Sequence, residues 1–137
     1  MINRTVTATL EASRDDVFSF LSKIENLPLW ATDFARELRL DDDEARVVNG
    51  LGEFYVSFDA DGDTGVIDMY AGPAPDAMAL FPTRVVALGP TRSAYSFTMF
   101  KPPEMPDELF ESQYLSLLRE FDNIRVRFAN EAEGCAT

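Results

Sequence analysis

Hydrophobic and polar positions change period twice along this chain, and the two changes mark its ends. Residues 5–10 alternate between threonine and an apolar side chain, which is the period of a half-buried strand. A helix is predicted directly afterwards, because Ser13 can cap its first turn and Asp15 and Asp16 place negative charge where the helix dipole favours it. Over residues 106–128, apolar side chains recur at three- and four-residue steps, which predicts a long amphipathic helix.

The middle of the chain has the pattern of short strands joined by tight turns. Glycines and prolines interrupt segments rich in β-branched and aromatic residues, as expected for antiparallel hairpins. In one of these segments Phe54, Val56 and Phe58 share a face, and that face is expected to point inward. Residues 72–75 are predicted to form a loop or an edge connection, because proline cannot donate to a strand ladder. The order of elements therefore predicts an α+β fold.

The length and composition predict one globular domain. A chain of 137 residues is large enough for a single core and too short to divide comfortably into two. Hydrophobic residues make up 46% of the chain and aromatic residues 12%, so apolar surface suffices for a core and for the lining of a cavity. The domain is expected to span residues 1–130, and residues 131–137 are expected to be a disordered tail.

The charge of the chain limits its partners. Twelve Lys and Arg against 24 Asp and Glu give a net charge of −12, which repels nucleic-acid phosphates and anionic lipid headgroups. No apolar run is long enough for a membrane span, and the first residues lack the apolar core of a secretory signal. We therefore expect no nucleic-acid binding, no membrane insertion and a cytoplasmic location.

Several classes of chemistry lack the residues that they need. The chain has no histidine, which removes the commonest general base and the commonest transition-metal ligand. Its one cysteine, Cys135, cannot form a thiolate zinc site alone. Residues 59–65 alternate acidic side chains in the manner of a calcium loop, but Thr64 and Tyr70 stand where an EF-hand needs Gly and Glu. No metal and no cofactor are predicted.

Four segments resemble a known group of proteins. They are SRDDVF at 13–18, LPLW at 27–30, FTMFKPP at 97–103 and DELF at 107–110. Together with the order of elements over 5–128, they resemble the SRPBCC group, which includes START-like and polyketide cyclase/dehydrase-like proteins. The resemblance implies a helix-grip fold, in which a curved antiparallel sheet wraps around a long C-terminal helix and two short helices follow the first strand. It also implies an apolar cavity between the sheet and the long helix.

The residues expected to line that cavity fall into three sets. The first is aromatic, and each member is as readily interpreted as ordinary core: Trp30, Phe34, Phe54 and Phe58. The second is polar and would orient a ligand, with Arg84 as the partner of an inward Asp68: Asp68, Tyr70 and Arg84. The alternative strand parity, with Ile67 and Met69 inside, leaves Asp68 in water, and the pattern leaves both open. The third comes from the last strand and the closing helix: Phe97, Tyr114 and Leu118.

The resemblance implies a ligand-binding cavity, but it does not imply a particular reaction. The leading hypothesis is the binding of a small hydrophobic molecule, aromatic or lipid-like, in the internal cavity. The alternatives are a polyketide cyclase/dehydratase-like enzyme, in which Tyr70, Asp68 or Arg84 would move protons, and a protein-interaction module. A homodimer is compatible with each of them.

Overall fold

The computed structural model describes residues 2–136, with side chains over 2–129, and in this range the chain forms seven strands and three α-helices. The strands are β1 Asn3–Leu10, β2 Glu37–Leu40, β3 Ala45–Asn49, β4 Gly52–Asp61, β5 Val66–Ala74, β6 Ala77–Gly89 and β7 Arg92–Phe100. The helices are α1 Arg14–Leu21, α2 Leu27–Trp30 and α3 Asp107–Ala136, with a 3-10 turn over Ile24–Asn26 before α2. The disordered tail predicted over 131–137 lies outside the residues whose side chains are described.

The strands form one antiparallel sheet in the order β1-β7-β6-β5-β4-β3-β2. Neighbours in the chain are neighbours in the sheet from β2 to β7, and β1 then pairs with β7 from the far end of the chain. Val6 lies opposite Phe97, and Leu10 lies opposite Ser93. The curved sheet and the long last helix give the predicted α+β helix-grip architecture.

Alternation along each strand decides which side chains face the helix. In β4 the even-numbered positions face inward, as predicted, and Val56 is 6% exposed. In β5 the odd-numbered positions face inward, since Ile67 is fully buried and Met69 is 5% exposed. This parity settles the alternative that the sequence left open and places Asp68 on the outer face of the sheet.

Strand β5 runs through the segment that was predicted to be a loop. It continues past Pro73 to Ala74, and its pairing with β6 shifts between Ala71 and Ala74. Because the ladder is interrupted there, the missing N–H of proline breaks no hydrogen bond. The sequence pattern therefore located the irregularity correctly but ended the strand too early.

Helix α3 supplies the other half of the core. Its apolar stripe faces the concave side of the sheet, and four of its members are at most 2% exposed: Phe110, Phe121, Ile124 and Phe128. Phe121 stacks on Tyr95 of β7, with 5.4 Å between ring centroids, and meets Phe97 edge-on at 6.4 Å. None of the helices in the described range is long and apolar enough to cross a bilayer.

Candidate functional site

A cavity of about 600 Å³ lies between the sheet and helices α2 and α3. This volume is within the usual range for small-molecule sites. The sheet contributes an apolar wall from four neighbouring strands: Val56, Phe58, Met69, Phe81, Phe97 and Met99. The helices contribute Leu27 and Trp30 from α2 and Leu109 and Leu117 from α3.

Trp30 belongs to the buried part of this wall. Pro28 lies in the first turn of α2, and Trp30 ends that helix with 2% of its surface exposed. Its indole packs edge-to-face against Tyr95, with 6.4 Å between centroids. The indole Nε1 is buried without an acceptor among the described residues. The single tryptophan is therefore held rigidly beside the space that a ligand would enter.

Exposed residues that also line the cavity mark its mouth. They are Arg36 before β2, Gly50 and Leu51 in the β3–β4 turn, and Ser112 and Arg119 on α3. The mouth is therefore formed by the turn, by the segment between α2 and β2, and by one side of α3.

The segment 31–36, which we call the mouth loop, is attached to α3 by side-chain hydrogen bonds. Asn123 Nδ2 donates to the Trp30 carbonyl at 3.0 Å and to Thr32 Oγ1 at 3.1 Å. Arg119 pairs with Asp33 at 2.8 Å, and this hydrogen bond holds the pKa of the Asp33 carboxyl below its ordinary value. The mouth loop is thus fixed by polar groups while the wall behind it is apolar.

Glu120 is the polar group that lies deepest in the site. It lines the cavity, is 5% exposed, and its Oε2 accepts a hydrogen bond from the Phe34 backbone N–H at 3.1 Å. Asn49 Nδ2 donates to the Phe34 carbonyl at 2.8 Å, so both backbone groups of Phe34 are satisfied. Burial raises the pKa of the Glu120 carboxyl to about 7, despite the lowering effect of the Phe34 hydrogen bond. A carboxyl with this pKa can hold or release a proton near neutral pH.

Sequence reasoning missed Glu120, although the chain carries a signal for it. Three residues after Leu117 and four before Ile124, position 120 falls inside the apolar stripe of α3 rather than beside it. A single charged residue at a core position of an amphipathic helix is unusual, because buried charges are costly. That break in the stripe indicates a cavity residue.

Five of the residues predicted for the cavity line it in the structure. They come from α2, the mouth loop and three strands: Trp30, Phe34, Phe58, Tyr70 and Phe97. Phe58 and Phe97 come from the inward faces of β4 and β7, whereas Tyr70 borders the cavity from an even-numbered position of β5, a strand whose inward side chains are at odd-numbered positions.

The other five do not line the cavity, and their predicted place there is corrected. Asp68 lies on the outer face of β5. Exposed Arg84 donates from Nε to the Thr64 carbonyl at 3.3 Å, so the expected pair with Asp68 does not form. Phe54 and Leu118 are half-buried and pack against the core instead. Tyr114 lies under the guanidinium of Arg4, 5.1 Å from the ring centroid, beside the β1 edge.

Clustered metal ligands are not part of this site. Within the described range, no group of three or more Cys, Asp or Glu side chains is arranged to hold an ion. The polar chemistry of the cavity therefore comes from Glu120 and from the residues around the mouth.

Comparison of the sequence with protein-family models and with curated proteins finds no match. Comparison of the fold finds many solved structures that are similar to it. XoxI from Bacillus cereus has a TM-score of 0.73 and 16% identity, with 96% of this chain and 99% of that chain covered. The Zhui aromatase/cyclase from a Streptomyces species has a TM-score of 0.66 and 17% identity over 99% and 96% of the two chains.

A START superfamily protein from Mycobacterium smegmatis has a TM-score of 0.63 and 16% identity, with 93% of this chain and 97% of that chain covered. Identities this low establish the architecture and leave function to the site itself. The chain therefore shares the fold of these structures, which is the helix-grip fold that the sequence predicted.

Proposed function

We propose that this protein binds a small hydrophobic molecule in the cavity between its sheet and α3. The observation that carries the proposal is the cavity itself, about 600 Å³ in volume and walled mainly by aromatic and aliphatic side chains. A concave, mostly apolar surface of this size that opens to solvent on one side has the usual form of a small-molecule site.

The mouth supports the same conclusion. Arg36, Leu51, Ser112 and Arg119 line the cavity and are also exposed, so the apolar interior opens to solvent between them. A few polar groups around an apolar interior are the usual composition of a ligand pocket. A molecule would enter through the mouth, while the hydrogen bonds and the ion pair from α3 hold the mouth loop in place.

An uncharged apolar dye such as Nile red is expected to bind, to raise the melting temperature and to change Trp30 emission. A ligand that binds only the folded state adds about 2.7 kcal/mol when its concentration is 100 times its Kd. Differential scanning fluorimetry measures the melting temperature, and a fluorescence titration measures dye binding and the change in Trp30 emission.

Two variants of α3 give the matched control. Ser116→Phe adds a ring beside the mouth and should abolish dye binding, whereas Leu115→Phe, at an exposed position of the same helix, should leave it unchanged. Equal binding by the two variants, or no dye binding by the wild type, would contradict the proposal.

A second candidate function is catalysis of the cyclase/dehydratase kind, and Glu120 is the observation that favours it. A general acid or base works best when its pKa lies near the operating pH, and the pKa of Glu120 is raised to about 7. Asp68 and Arg84, two of the groups expected to move protons in this reaction, do not line the cavity and take no part in this candidate.

With a poly-β-ketone substrate, Glu120→Gln separates the two candidates. If Glu120 transfers a proton, turnover should fall by about a hundredfold to ten-thousandfold while substrate binding persists. Product analysis by mass spectrometry, together with calorimetric binding, checks both quantities. If the wild type does not turn this substrate over, binding remains the proposed function. If protein purified from cells has an empty cavity, the interaction module is favoured instead.

The homodimer stays a prediction, and light scattering of the purified protein tests it.

A further inference from the structure

Glu120 is an acid buried without a counter-ion. It is 5% exposed, and within the described part of the chain no Lys or Arg forms an ion pair with it. The adjacent cation, Arg119, is directed to Asp33 instead. Its carboxyl accepts a hydrogen bond from the Phe34 backbone N–H, and the neighbouring Asp33 backbone N–H also lowers its pKa. A buried carboxyl with so few partners is costly, and a polar group supplied by a ligand would offset that cost.

The charged groups nearest Glu120 give little support to an anionic ligand placed beside it. The Asp33 carboxylate raises the pKa of Glu120, whereas the Asp33 backbone N–H and the Arg119 guanidinium, which is paired with Asp33, lower it. Arg36 stands exposed at the mouth, and the sheet wall opposite α3 is made of uncharged side chains. A carboxylate ligand would therefore meet either a second carboxylate or an acid that must stay protonated.

The hydrogen bonds that the Glu120 carboxyl can make further restrict the functional group of the ligand. A protonated carboxyl donates one hydrogen bond, whereas an ionised one only accepts. A ketone can accept but cannot donate, so it matches only the protonated form. A hydroxyl can donate and accept, so it matches Glu120 in both states.

We propose that Glu120 selects an uncharged hydrophobic molecule carrying a hydroxyl group, which it hydrogen-bonds inside the cavity, and that it rejects carboxylate ligands of the same carbon skeleton. This inference rests on the proposed binding function and specifies the chemical class of the ligand. The sequence predicts a cation, Arg84, among the groups that orient a ligand; Arg84 does not line the cavity, and the acid that does, Glu120, favours a different class of ligand.

Two pairs of probes test the proposal by calorimetry near neutral pH: 2-naphthol with 2-naphthoate, and 1-decanol with decanoate. The wild type should bind at least one alcohol about tenfold more tightly than the matching carboxylate, the size expected for one hydrogen bond to a charged or buried group. Glu120→Gln keeps an acceptor for the Phe34 N–H and removes the ionisable group. Its preference should fall below about threefold, mainly because the carboxylate binds better.

Glu108→Gln is the matched control. It removes one negative charge from an exposed position of the same helix, outside the cavity, and should keep the wild-type preference. Equal preference in the wild type and in Glu120→Gln overturns the inference, and so does a wild type that binds the carboxylates as tightly as the alcohols. If no alcohol binds while Nile red does, the inference fails and the proposed function stands. If the dye does not bind either, the proposed function fails first.

Discussion

Phe121→Ala is expected to lower the free energy of unfolding by about 3 to 5 kcal/mol, the usual size for an aromatic residue truncated in a core. Phe121 is fully buried where α3 meets the sheet, and it contacts the rings of Tyr95 and Phe97. Its removal would lose both contacts and leave a void that rigid neighbouring strands cannot fill. Chemical denaturation followed by Trp30 emission measures the loss.

Leu115→Ala provides the comparison for this prediction. Leu115 lies on the same helix but is 52% exposed, so its truncation should change stability by no more than about 0.5 kcal/mol. Similar losses in the two variants would mean that α3 is not docked on the sheet as described.

Glu120→Gln is expected to gain stability relative to the wild type as pH rises from about 5 to about 8, by about 2 to 3 kcal/mol. Burial raises the pKa of Glu120 from its ordinary value of 4.5 to about 7 in the folded protein. Below pH 4.5 both states are protonated, and the stability associated with the protonated carboxyl is fully present. It is lost as pH rises through 7, because the unfolded chain releases the proton first. Glutamine has no proton to lose, so the variant lacks this dependence.

Charged residues near Glu120 also affect how the stabilities of the wild type and of Glu120→Gln depend on pH. Asp33 and Arg36 face Glu120 from the mouth loop and Arg119 from its own helix, and all three are kept in the variant. The lowered pKa of Asp33 gives an opposite trend, and most of it is common to both proteins because its main cause, the hydrogen bond from Arg119, is kept in the variant. Urea titrations at the two pH values measure the effect, and Glu108→Gln should not reproduce it. A difference that stays constant with pH would show that water reaches the carboxyl and keeps it ionised.

Period and capping were enough to predict the order of the elements and the α+β class, whereas the helix-grip architecture was implied by the resemblance. Threonine alternation defined β1, and the Ser13 hydroxyl caps α1 by accepting from the Asp16 N–H at 3.2 Å. Pro28 marked the short helix that carries Trp30. These signals are local, and each depends on interactions within a few residues, which is why a single sequence reveals them.

The cavity was harder to predict, because its lining depends on contacts between distant segments. The run Val66-Ile67-Asp68-Met69-Tyr70 fits either parity, and the choice is made by pairing with β4 and β6. Leu118 belongs to the apolar pattern of α3, but the position of the helix on the sheet gives the cavity to Leu117 and Glu120 instead. The aromatic candidates divide in the same way, since Trp30, Phe58 and Phe97 line the cavity whereas Phe54 and Tyr114 do not.

The pairing of β1 with β7 has a consequence for how the protein is made. During translation β1 leaves the ribosome first, but its partner in the sheet is the last strand to be synthesised. At about 5 to 20 residues per second, β1 stays unpaired for roughly 5 to 20 seconds while β2 to β6 form local hairpins. Release of β7 from the ribosome therefore sets the earliest moment at which the sheet can be completed and the cavity enclosed.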